Sequence, residues 1–121
     1  MRNLSVLLAA AVLLSGCETV RYEMRPPASD AGRACVTQCA GIREVCRGNE
    51  IRRAASERNA CERRADQSLI ACLNRADNED KKKQCHRNKP GCYVSENQER
   101  CEQDYRACYV QCGGTVTRIV E

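Results

Sequence analysis

The chain has 121 residues, 11 of them cysteine, with no Trp, no Phe and a formal net charge of +4. The hydrophobic share of 42% is carried by Ala and Cys rather than by large aliphatics, so a core of this kind needs a covalent staple or a metal. The basic surplus is small and interleaved with acids, which points away from nucleic acid as a partner.

The chain opens with Met1-Arg2-Asn3, a positive start, followed by the apolar run Leu4 to Leu14 and then Ser15-Gly16-Cys17. An apolar run this short does not span a bilayer, which takes roughly 20 residues, and reads as the hydrophobic part of a secretory signal. Leu14-Ser15-Gly16-Cys17 resembles the lipobox of bacterial lipoproteins: an aliphatic residue, two small residues, then cysteine. The resemblance implies a signal peptide over 1–16, removal of that signal, and lipidation of Cys17 by acyl chains of the palmitate type. It therefore implies a membrane partner through acylated Cys17. Glu18 stands where enteric lipoproteins kept at the inner membrane usually carry Asp, so the implied location is the outer membrane, facing the periplasm. Residues 17–31 form a lipidated N-terminus and tether, stiffened by Pro26-Pro27.

Ten cysteines follow Cys17, and an even number in a small exported chain reads as a disulfide framework. Cys35, Cys39 and Cys46 follow C-x3-C-x6-C; Cys101, Cys108 and Cys112 follow its mirror image. The position numbers of Cys35 and Cys112, Cys39 and Cys108, and Cys46 and Cys101 all add to 147, the mark of antiparallel pairing. Steps of four and seven keep residues on one helix face, so each set forms a stripe about 16 Å long. The expected bridges are Cys35–Cys112, Cys39–Cys108 and Cys46–Cys101, with Ile42 opposite Tyr105 as an intervening layer. A bridge requires Cα atoms about 4.4–6.8 Å apart, so the two helices must lie unusually close.

The inner cysteines are less constrained. Cys61 and Cys72 share a helix face but stand about 16 Å apart along it, so they do not pair with each other. Antiparallel order favours Cys61–Cys92 and Cys72–Cys85, which makes all five bridges nested. Cys61–Cys85 with Cys72–Cys92 is the alternative. The arms between rungs differ in length, so either the helix breaks at Gly48-Asn49 or the Pro90-Gly91 corner makes up the distance. Cys61, Cys72, Cys85, His86 and Cys92 form the alternative metal-ligand set, rich in soft donors for zinc or copper. With no tight C-x2-C pair and an oxidising compartment, cystine is the favoured state, with no metal and no cofactor.

The predicted helices run from about Asp30 to Arg47, from about Glu50 to Ala76, briefly from Asp80 to Arg87, and from about Val94 to Cys112. Ser29 or Asp30 caps the first, and Gly113-Gly114 ends the last. Thr19 to Met24 and Thr115 to Val120 alternate like strands, and the Cys35–Cys112 bridge would bring them to one end, as a short ribbon or a mobile tail. The expected fold class is all-α: a disulfide-stapled antiparallel helical hairpin, or small helical bundle, with flexible or strand-like termini. The hairpin domain covers 32–112 and the C-terminal tail 113–121.

Two basic surfaces stand out: the run Arg52, Arg53, Arg58, Arg63 and Arg64, laced with acids, and the knot Lys81-Lys82-Lys83 with Arg87 and Lys89 at the hairpin tip. The paired C-x3-C motifs resemble, in architecture alone, the twin C-x3-C hairpins of small mitochondrial intermembrane-space chaperones, but here a far longer stretch separates them. The single His, the absence of G-x-S-x-G and the absence of a Gly-rich phosphate loop argue against an enzyme. The expected function is a non-catalytic, lipid-anchored envelope lipoprotein, a structural or protein-binding module. The alternatives are metal handling or thiol redox through the inner cysteines, and association with anionic lipid or peptidoglycan through the arginine face.

Overall fold

The computed structural model of the protein describes residues 18–121. The signal, the lipobox and Cys17 lie outside the described residues. The elements are β1 (Val20–Arg25), α1 (Asp30–Arg75), α2 (Glu79–Arg87), α3 (Gln98–Gln111) and β2 (Thr115–Val120).

Helix α1 is one unbroken rod of 46 residues, about 70 Å at 1.5 Å per residue. Its start follows from local chemistry: the Ser29 side chain accepts from the Gly32 N–H, and Asp30 places an acid in the first turn. The possible break at Gly48-Asn49 does not occur. A mid-helix glycine costs only about 1 kcal/mol relative to Ala, and covalent ties on both sides of it outweigh that. The length mismatch between rungs is instead taken up in the partner arm. The predicted helix from Val94 begins at Gln98, with Asn97 as N-cap, and residues 89–97 run without regular structure. Extended chain advances about 3.3 Å per residue against 1.5 Å in a helix, so fewer residues cover the same stretch of α1.

Helix α3 ends in a Schellman motif. Gly113 N–H bonds to Val110 C=O at 2.9 Å and Gly114 N–H to Tyr109 C=O at 3.1 Å, with Gly113 at φ 91°. The chain then enters β2, which pairs antiparallel with β1 from Val20↔Val120 to Arg25↔Thr115. Thr19 and Glu121 exchange N–H···O=C bonds of 3.1 Å in both directions beyond the last pair. The fold is therefore mostly helical but not all-α: the tether and the tail form one ribbon.

The core is thin. The buried residues of α1 are Gly32, Cys39, Ala54 and Ala65; Cys85, Cys101 and Tyr109 complete the buried set on the later helices. No charged or polar side chain is buried among the described residues. Small residues serve here because the neighbouring backbone is close. A Cβ on Gly32 would stand 2.6 Å from Pro27 Cβ and 2.8 Å from the Cys112 carbonyl oxygen.

Candidate functional site

Five bridges run along α1 in reverse order. Cys35–Cys112, Cys39–Cys108 and Cys46–Cys101 join α1 to α3 at Cα separations of 5.6, 5.8 and 5.7 Å. Cys61–Cys92 ties the irregular 89–97 segment to α1, and Cys72–Cys85 ties α2 to it, each at 5.8 Å. The pattern is fully nested, and all ten described cysteines take part.

The rungs are not evenly spaced. Cys35 and Cys39 are one helical turn apart, as are Cys108 and Cys112, whereas Cys46 stands two turns beyond Cys39. The first two bridges therefore touch: Cys39 Sγ lies 3.5 Å from Cys112 Sγ, across the two disulfides. Cys39 is only 2% exposed, while Cys35, Cys108 and Cys112 are half-buried.

The Ile42/Tyr105 layer expected between the second and third rungs is not a buried pair. Ile42 is 65% exposed, and Tyr105 instead receives the Arg43 guanidinium over its ring at 4.2 Å. Both residues edge a small cleft of about 50 Å³ between the second and third bridges. The helices are too close for two large side chains to meet between the rungs, and the covered face of α1 is turned toward Arg43. Arg43 also reaches Glu102 at 3.6 Å. A second stack, Arg106 over Tyr22 at 3.9 Å, ties α3 to the ribbon. Nothing in the one-dimensional pattern marked that contact, because it joins segments with no shared periodicity.

The alternative metal set is not gathered into one centre. Cys61 and Cys92 share one bridge, Cys72 and Cys85 another, and His86 is exposed near the end of α2. Among the described residues, the metal-type donors that cluster within 4.8 Å are Cys35, Cys39 and Cys112, and all three are half-cystines. A metal ligand needs the thiolate, so cystine sulfur does not supply it.

Part of the arginine run fastens the 89–97 segment. Arg53 bonds Glu50 at 2.9 Å, Glu57 at 2.8 Å and the Ser95 carbonyl at 3.1 Å. Arg58 donates to the Val94 carbonyl at 3.3 Å, and the Glu50 carboxylate accepts the Asn97 N–H at 2.9 Å. The hydrogen bond from Arg53, then that from Asn97, holds the Glu50 carboxyl below its ordinary value. Hydrogen bonds to Glu50 and then to Glu57 raise the Arg53 guanidinium above its own ordinary value.

At the far end of α1, Lys81 pairs with Asp77 at 2.8 Å, Lys82 with Glu79 at 2.8 Å and Lys89 with Asp66 at 2.6 Å. Two open clefts, about 260 and 230 Å³, flank the Cys72–Cys85 bridge and share Arg75 on their walls. Among the described residues no helix is long and apolar enough to cross a membrane. No protein-family model, no curated protein and no solved structure matches the chain.

Proposed function

We propose that the protein is a non-catalytic lipoprotein of the cell envelope, anchored by acylated Cys17.

 Within this reading its place is the outer membrane, facing the periplasm, and its role is that of a spacer and protein-binding module. The observation that carries the reading is the position of the two ends of α1. The ribbon that begins at Val20, three residues after Cys17, sits at the N-terminal end of the rod, and the basic knot lies about 55–70 Å along it, with Lys89 against Asp66 and Cys85 bridged to Cys72. An acylated Cys17 would therefore hold the ribbon near the bilayer and carry the knot away from it. Two or three acyl chains supply firm anchoring, at about 0.8 kcal/mol for each buried CH₂.

Arg52, Arg53 and Arg58 already have partners within the molecule. The tip, with Arg75, Lys83 and Arg87 outside the ion pairs found among the described residues, is the basic surface farthest from the ribbon and is the one offered to a protein partner. Metal handling by the inner cysteines would first require opening Cys61–Cys92 and Cys72–Cys85. Mass spectrometry of protein extracted from membranes tests the proposal. Acyl mass on a chain beginning at Cys17, lost together with membrane association in Cys17→Ala, is the expected result. An unacylated protein, or stoichiometric zinc or copper in it, overturns the reading.

A further inference from the structure

We infer that Cys35, Cys39, Cys108 and Cys112 form a thiol–disulfide exchange centre, open to an external thiol or dithiol, in which Cys39 and Cys112 are the residues that swap partners. The basis is the contact between the first two bridges. Cys39 Sγ and Cys112 Sγ, which belong to different disulfides, are 3.5 Å apart. Exchange needs a thiolate to reach the sulfur of another disulfide, and here the two sulfurs already touch. The spacing confines this to one place on the ladder. One helical turn separates the first two rungs, whereas two turns, about 10.5 Å of rise, separate the second from the third.

The sequence of bonds balances without net oxidation. A thiolate from outside attacks the half-buried Cys35 Sγ, forming a mixed disulfide and breaking Sγ35–Sγ112. The electron pair leaves on Cys112 as a thiolate. Cys112 Sγ then attacks Cys39 Sγ: the Cys39–Cys112 bond forms, Cys39–Cys108 breaks, and Cys108 leaves as the thiolate, taking a proton from water. If the incoming reagent is a dithiol, its second sulfur resolves the mixed disulfide, frees Cys35 and is itself oxidised to a disulfide. The protein has then gained two electrons. It presents two half-exposed thiols, one on each helix, while the diagonal bridge Cys39–Cys112 still holds α1 against α3. The centre can thus be reduced without unstapling the ladder, which separates it from the isolated rungs.

The test uses the full chain with one thiol set free. In Cys35→Ser the free thiol begins on Cys112. After incubation at mildly alkaline pH, acid quench, alkylation and peptide mapping, comparable label is expected on Cys112 and Cys108, with both Cys39–Cys108 and Cys39–Cys112 peptides present. Cys108→Ser provides the converse: the thiol begins on Cys39, and label is expected on Cys39 and Cys35. Cys101→Ser frees Cys46, which has no neighbouring bridge in contact, and label is expected on Cys46 alone. Label confined to Cys112 in the first variant and to Cys39 in the second overturns the inference. So does equal spreading of label in Cys101→Ser, because exchange would then follow from general unfolding rather than from the contact.

Discussion

The two halves of the long helix are covered in different ways. Toward the ribbon, α1 lies against another helix, and three bridges join them at nearly constant Cα separation, from 5.6 to 5.8 Å. Toward the tip, its partner is an irregular strap and a short helix, held by single bridges and by polar groups reaching the strap backbone. Matched periodicity lets two helices share many rungs; an irregular partner meets the helix at few points, and each tie there carries more of the local structure. The halves should therefore respond differently to the same kind of damage.

The largest effect tests what both halves share. With so thin a core, complete reduction of the five bridges should abolish the cooperative thermal transition and most of the far-ultraviolet helical signal. Retention of a cooperative transition would mean that packing alone suffices. Next, Cys61→Ser with Cys92→Ser should cost about 3 kcal/mol in denaturant unfolding. Amide protection should fall across residues 88–97 and persist in α3; equal loss in both would erase the contrast between the halves.

A change at the other end should be milder. A Cβ at Gly114 would stand 2.3 Å from the Tyr109 ring, so Gly114→Ala should cost roughly 1–2 kcal/mol as the ring is pushed aside. The loss should appear in the ribbon and in the last turn of α3, leaving the strap unchanged. The smallest effect belongs to Glu50, whose carboxylate accepts from both Arg53 and Asn97 N–H. Its folded pKa lies below its unfolded value, so its contribution is present above the unfolded pKa and is lost as pH falls through the folded one. Glu50→Gln should melt slightly below the parent protein at neutral pH, and the two melting curves should converge in acid. A gap that stayed constant with pH would remove the carboxylate from the account of how the strap is held.

Much of the architecture was legible because cysteine positions carry geometric information that most residues do not. Constant sums across Cys35, Cys39 and Cys46 and their mirror set encode an antiparallel register directly. The joined ladder was thus within reach of spacing alone, and nesting extended it to the inner four. The unbroken passage through Gly48-Asn49 was harder to read, because local propensity favours a break that tertiary ties override. The start of α3 moved from Val94 to Gln98 for a related reason: the strap must be extended to span between rungs. The exposed Ile42 followed from how close the helices lie, a distance that a helical wheel does not contain. At the level of the site, spacing identified which sulfurs pair but not that two bridges touch, since that depends on how side chains lean between adjacent turns.

The reciprocal bonds between Thr19 and Glu121 bring the two described ends of the chain side by side. A short peptide joining 121 to 18, with a new opening at Asp77, would give a circular permutant in which every bridge remains nested but the order turns inside out. Cys72–Cys85, now the tightest internal loop, would become the widest, and Cys35–Cys112 would close the narrowest. If disulfide stabilisation follows loop size, the permutant would redistribute stability from one end of the rod to the other while leaving every contact in place.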